Sequence, residues 1–267
     1  MIVSRFETTM NYLLLVIVAA FALAPIVVVL FTSVQPPLGE SGLALGNYAQ
    51  AWSEGSFAHH LRTSVLVSGT VLAVALVASI LAGYAFGTMR FRASPVVFSL
   101  ILVGIMVPTE AIVVPLFYDL RTLGMTNTLW AVAFPQMAQS IAFGTYWMRA
   151  YFRTAPRSLM EAAQLDGASE RRVLWSILVP LGRPAIITMT VLVFMWTWNE
   201  FLIPLVMSPN GAYRTAPLAL ALFQGQHVQA TSLLAAAAVL VALPVVIVYL
   251  FLQRHFIRGM LEGAVRE

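Results

Sequence analysis

EAAQLDGASERRVLWSILVP, residues 161–180, decides how the rest of the chain is read. It adjoins runs such as IITMTVLVFMW (186–196) that carry no charge, yet Glu161, Asp166, Glu170, Arg171 and Arg172 fall within its first twelve positions. Ser158 followed three residues later by Glu161 is a capping-box pattern, and it predicts a short helix over about 159–166. Leu159, Ala162, Ala163 and Asp166 share one face of that helix at i, i+3, i+4 spacing. Gly167 supplies the backbone conformation of a helix end. Ser169 suits the cap of a second helix, with Val173, Leu174 and Ile177 on its apolar side. Pro180 and Pro184 mark its end. The segment is helix, glycine turn, helix, and too polar to cross a membrane. From the residues alone two uses stand equal. One is a hairpin on lipid headgroups, with the arginines meeting anionic lipid. The other is a docking element, whose alanines admit a close partner and whose Glu161 and Asp166 anchor hydrogen bonds.

Over its whole length the chain is 60% hydrophobic and 10% charged, against roughly 25% charged for a soluble protein. Lipid is therefore the solvent for much of it. Six segments have the roughly 20 apolar residues a spanning helix needs: about 12–34, 63–87, 96–120, 128–149, 184–207 and 230–252. Ala22-Leu23-Ala24 resembles a signal cleavage site, but the apolar run continues to Phe31, so the first segment reads as a span. All 15 basic residues are arginine. Twelve of them lie at the two termini, at 90–92 and at 149–183, and three lie in the alternate connections. By the positive-inside rule both termini and the 150–183 loop are cytoplasmic, which agrees with an even span count. The expected fold is an all-α membrane protein of six transmembrane helices in a single domain. No internal repeat is evident.

Several chemistries are excluded. Without lysine there is no GxxxxGK[ST] phosphate loop. Without cysteine there is no disulfide or thiolate site. His59, His60, His227 and His255 are not spaced as a metal site, and no basic stripe with interleaved aromatics suggests nucleic acid.

The 161–180 segment resembles the EAA signature of permease subunits of ATP-binding-cassette importers: E-A-A, three residues, G, nine residues, I-x-L-P. Glu161, Ala162, Ala163, Gly167, Ile177 and Pro180 fall at the matching positions, and Val179 replaces the usual leucine. The resemblance implies a type I importer fold in a bacterial inner membrane. It also implies that Glu161, Ala162, Ala163, Leu165, Asp166, Gly167, Ile177 and Pro180 form the ATPase-coupling element. ATP then binds on partner subunits, and this chain needs no cofactor of its own. MVPTEAIVVPLFYDLRTLGMTNTLWAV (106–132), FMWTWNEFLIPL (194–205) and LQRHFIRGMLEGAV (252–265) resemble the G-type permease of carbohydrate importers, the maltose and glycerol-3-phosphate class. The partners so implied are a second permease, two ATP-binding subunits, an extracytoplasmic binding protein and a sugar.

Ionisable residues inside spans are costly and face cavities or the bundle interior. Glu110 and Glu200 are expected about 21–24 Å up straight helices from the cytoplasmic ends. Trp198, Asn199 and Glu200 join an aromatic face to hydrogen-bonding groups, chemistry suited to a sugar. The plainer roles are an interface anchor for Trp198 and helix–helix hydrogen bonds for Asn199 and Glu200. In the resembling permeases the loop at 208–229 reaches the binding protein, which makes Gln224, Gln226 and His227 candidate contacts; His227 equally suits a solvated loop. Arg254 and Arg258 read as a positive-inside anchor, to which the resemblance adds a contact with the ATPases. An ion-coupled secondary transporter using Glu110 and Glu200 as proton sites is the alternative, and it leaves 161–180 without a purpose. An intramembrane enzyme lacks any GxSxG, paired histidines or cysteine nucleophile.

Overall fold

The computed structural model describes the backbone of residues 5–36, 41–226 and 231–264, and the side chains within 6–36, 41–221 and 231–253. Among the described residues every regular element is helical. In chain order these are α1 (Arg5–Ser33), α2 (Gly46–Glu54), α3 (Phe57–Thr88), α4 (Ser94–Met106), α5 (Thr109–Thr122), α6 (Leu129–Thr154) and α7 (Arg157–Leu165). There follow α8 (Glu170–Arg172), a π-helical turn (Val173–Leu178), α9 (Val179–Leu181), α10 (Arg183–Asn199), α11 (Leu202–Met207), α12 (Ala216–Gln226) and α13 (Thr231–Ala264). The chain divides into two compact units, 1–58 with 219–244, and 59–218 with 245–267.

In the first unit, side chains 6–31 of α1 are all exposed. From Leu13 to Phe31 the helix is apolar without interruption, so the preferred surroundings of that stretch are lipid or another apolar chain. Its end is tied to α2 by polar groups. Asn47 is buried and donates Nδ2 to Ser33 O at 3.0 Å and to Gln35 O at 2.9 Å. The Ser33 and Tyr48 hydroxyls lie 2.7 Å apart. The carbonyls at a helix C-terminus lack intrahelical partners, and Asn47 satisfies that of Ser33. Helix α2 lies between the first two expected spans, where hydropathy announces no element.

In the second unit α3 and α6 cross closely. Small residues recur every fourth position on α3, at Ser79, Gly83 and Gly87, opposite Gly144, Met148 and Phe152 of α6. A Cβ added at Gly83 would stand 2.5 Å from Met148 Cβ, and one at Gly87 would stand 2.7 Å from Phe152 Cβ. One at Gly144 would collide with Ser79 Oγ. This is small-xxx-small packing, in which glycines let two backbones approach where no hydrophobic effect drives them together. Helix α6 also packs against α4, α10 and α11. Val132, Met137, Met148 and Phe152 are buried along it.

Among the described residues three helices are long and apolar enough to cross a membrane: Phe6–Ser33, Phe57–Thr88 and Thr231–Gln253. The count is five if each of two bent pairs is one span. Helix α6, expected as the fourth span, has the length but not the composition, because Gln136, Gln139, Ser140 and Thr145 dilute it. Of these, Gln136, Ser140 and Thr145 are buried. A helix screened by its neighbours needs no continuous apolar coat.

The expected third span is not one continuous helix. It breaks at Val107–Pro108, and α4 and α5 meet at 98°. Val107 is extended (ψ 120°), as the residue before a proline prefers to be. The fifth span also stops early: α10 ends at Asn199, Glu200 is extended, and α11 restarts at Leu202.

Candidate functional site

The 150–183 loop forms helix, turn and helix, with a different start from the one expected. Helix α7 begins at Arg157 with Pro156 at its N-cap and no side-chain cap. The Ser158–Glu161 capping box is therefore not formed, because Ser158 lies inside the first turn. Pro156, with φ fixed at −63°, supplies the entry instead.

The end of α7 is a Schellman motif. Ala168 N donates to Ala163 O at 2.9 Å and Gly167 N to Gln164 O at 3.0 Å, with Gly167 at φ +79°. Ala163 and Ala168 both pack against the core, completing the apolar contact of that motif. Ser169 caps the next helix as expected, accepting from Arg172 N at 3.4 Å.

Helix α7 has three faces. Met160 and Ala163 pack inward on the core. Arg157, Glu161 and Gln164 line a cavity of about 550 Å³ with Arg90, Arg153 and Glu170, over a floor of Tyr84 and Phe152. The remaining face carries Ser158, Ala162, Leu165 and Asp166, all exposed, and Leu165 is 90% exposed. Glu161 and Leu165, one turn apart, stand on either side of the border between the cavity and the exposed face, Glu161 lining the cavity and Leu165 outside it. Ile177 is half-buried and Pro180 exposed.

Beyond α8 the helix widens into a π turn and reaches Pro180, which has no N–H for a fourth-residue hydrogen bond. At Gly182 it bends by 76° into α10. The corner is held from α6. Tyr151 OH donates to Leu178 O at 2.9 Å, and that carbonyl also accepts from Gly182 N at 2.8 Å. The Tyr151 ring lies on Gly182, where an added Cβ would stand 2.6 Å from it. One turn back along α6, Trp147 Nε1 donates to Ala185 O at 2.9 Å. Phe143 stacks on Trp147 (6.0 Å between centroids) and meets Trp196 edge-on at 4.8 Å. Trp196 Nε1 donates to Ser140 Oγ at 3.1 Å. None of these α6 aromatics was singled out from the sequence; their 147, 151 spacing on one helix face was the available signal.

The polar groups expected within spans are separately placed. Glu110 is exposed in the first turn of α5, beyond the 98° bend, so the straight-helix depth expected for it does not apply. Its neighbour Thr109 accepts from Gln139 Nε2 of α6 at 2.6 Å. Trp198 is 2% exposed and tilted against Phe194, so its ring is enclosed within the chain. Asn199 is exposed and donates Nδ2 to Met195 O at 2.7 Å. Glu200 Oε1 accepts from Ile203 N at 3.0 Å, satisfying an orphan donor at the start of α11 where a negative charge is favoured.

The connection after α11 is firmly organised. Asn127, at φ +59°, donates its N–H to Met207 O and accepts at Oδ1 from Asn210 N at 3.0 Å. His59 and His60 of α3 reach Ala212 O and Arg214 O at 3.3 and 3.2 Å. Ser64 Oγ accepts from Ala216 N at 2.8 Å. The side chains of Gln224 and Gln226, and all of His227, lie outside the described residues. Among the described residues no group of histidine and carboxylate side chains is placed to hold a metal.

Residues 75–262 match the family described as "Binding-protein-dependent transport system inner membrane component". The chain is similar to the "Trehalose/maltose transport system permease protein MalG" of Thermococcus litoralis, at 30% identity, covering 99% of this chain and 98% of the relative. It is similar at 29% identity to the "Trehalose transport system permease protein SugB" of Mycobacterium tuberculosis, covering 94% of each. In fold it resembles a chain of a bacterial ABC transporter involved in the import of the acidic polysaccharide alginate, with a TM-score of 0.77 at 23% identity over 96% of this chain and 99% of that one. The ion-coupled alternative gains nothing from these likenesses. Apolar helices, a polar helical hairpin carrying the EAA spacing, and a family match over most of the length agree: the chain belongs to the binding-protein-dependent transport system inner membrane components.

Proposed function

We propose that this chain is one of two permease subunits of an ATP-driven sugar importer. It works with a second permease, two ATP-binding subunits and an extracytoplasmic binding protein, and ATP is bound and hydrolysed on the ATP-binding subunits. The chain crosses the bacterial inner membrane six times with both termini in the cytoplasm. Five crossings correspond to α1, α3, the bent pair of α4 and α5, α10 and α13, and α6 is the sixth. A sugar cargo is supported by the named cargoes of the relatives.

One observation carries the coupling role. A polar helix is locked to the core by Met160 and Ala163, ended by Gly167, and turns an apolar Leu165 outward at 90% exposure. Ordering a bare leucine on such a face is most useful where another protein covers it. Ala162, Leu165 and Asp166 form the docking face, while Glu161 sits on its flank among the arginines. When ATP closes the ATPases, the 157–167 helix is pulled with them and the spans rock between inward- and outward-facing states. Glu110, Asn199 and Glu200 are the path candidates of this chain, with Trp198 as the enclosed support behind them. Gln224, Gln226 and His227 are the candidates for contact with the binding protein.

The test is Leu165→Glu, at a side chain that stands clear of the core. The expected result is normal yield and thermal stability with ATP-binding subunits lost on co-purification, and uptake lost with them. Full retention of both by Leu165→Glu and by Ala162→Arg refutes the docking face.

A further inference from the structure

We infer that Tyr151 and Trp147 are positioning residues that carry movement of the coupling loop into the membrane-embedded helices, with Gly182 as the seat that makes this possible. The inference rests on the coupling role proposed above and goes beyond it, since none of the three residues lies in the EAA segment. A bend of 76° between the loop helix and α10 is a poor transmitter on its own. Pro180 removes a helical hydrogen bond, the π turn loosens the ladder, and a glycine corner absorbs rotation. Displacement of α7 would dissipate at Gly182 unless something outside the corner holds it.

Helix α6 holds it at three levels. Tyr151 bonds the carbonyl of Leu178 before the bend, Trp147 bonds the carbonyl of Ala185 after it, and Ser140 receives Trp196 close to the end of α10. Phe143 fills the interval between Trp147 and Trp196. These bonds bracket the bend from a single helix. Residues 178–196 and α6 therefore move as one body. Only Thr197, Trp198 and Asn199 separate Trp196 from the helix break at Glu200, so a push on the loop is delivered to that break.

The test uses the importer purified with its own partner subunits and reads sugar transported per ATP hydrolysed. Gly182→Ala drives a methyl group into the Tyr151 ring and is expected to lower that ratio about tenfold, as overpacking displaces the corner. Tyr151→Phe keeps the ring, loses one hydrogen bond, and is expected to lower the ratio roughly threefold. Gly182→Ala combined with Tyr151→Ala removes the collision and with it the bond to Leu178 O, so the ratio should stay below that of Tyr151→Phe, whereas a loss caused by overpacking alone would be relieved. Amide exchange read on Tyr151→Phe should quicken at Gly182 and Ile186, whose N–H groups bond across the corner. A wild-type ratio in both Gly182→Ala and Tyr151→Phe overturns the inference. If Leu165→Glu uncouples the same preparation, the coupling role stands and only the transmission claim falls. If Leu165→Glu is also silent, the coupling role falls with it.

Discussion

Replacing Gly83 by alanine separates two opposed effects of the same methyl group. In an open helix alanine is favoured over glycine by about 1 kcal/mol, through lower backbone entropy in the unfolded chain. At Gly83 the new Cβ would stand 2.5 Å from Met148 Cβ and 3.0 Å from Arg149 N and Met148 C. Carbon atoms prefer roughly 3.5–4.0 Å, so α3 and α6 must separate by about an ångström. The neighbouring atoms are backbone and Cβ, which cannot swing aside. Overpacking of this kind costs roughly 1–3 kcal/mol, and because backbone and Cβ atoms cannot yield the upper half of that range applies, so the net expectation after the ~1 kcal/mol gain is destabilisation by up to about 2 kcal/mol. Gly69 is the internal control, since it lies on the same helix with nothing within 4 Å of an added Cβ. The assay is thermal unfolding of the purified chain in detergent. Gly83→Ala should melt below the parent and Gly69→Ala at or above it. Met148 is buried, so the clash is read by difference: measured against Met148→Gly alone the penalty of Gly83→Ala should shrink, whereas measured against Met148→Ala, which keeps the opposing Cβ, it should not. A Gly83→Ala protein melting at or above the parent refutes the argument that these glycines set the helix separation.

Two further outcomes are expected. Asn47→Ala leaves Ser33 O and Gln35 O without the donor they share, at a cost of about 1–3 kcal/mol, so amide exchange should quicken around residues 33–48; unchanged exchange would show that the tie is dispensable. At Asn127, glycine keeps the φ of +59° but loses the bond to Asn210, while alanine loses the bond and strains the backbone. Proteolysis within 208–215 should therefore rise in the order parent, Asn127→Gly, Asn127→Ala, and an equal effect of both substitutions would remove the backbone part of the claim.

The polar hairpin was legible because its signals are local. Gly167 and Ser169 act through dihedral angles and neighbouring N–H groups, and both do what their positions announce. The capping box failed for an equally local reason: Pro156 started the helix before Ser158 could cap it. The small-residue spacing at Ser79, Gly83 and Gly87 is legible in the sequence, but the helix that it admits is not. The aromatics of α6 carry only the weaker signal of their 147, 151 spacing on one helix face. Trp147 and Tyr151 look like interface residues in sequence, and only the chain folding back as α9 and α10 brings carbonyl acceptors to them.

Hydropathy, charge and turn chemistry are properties of consecutive residues. They suffice to establish the solvent of this protein, the polar segment that leaves it, and the spacing that points to the family. Where the helices break, which side of α7 is free, and which residues hold the corner at Gly182 were settled by long-range packing, because each depends on what a distant part of the chain presents. A proline permits a 98° bend without fixing its direction, a glutamate caps whichever helix begins beside it, and a glycine becomes indispensable only when a tyrosine ring is laid against it.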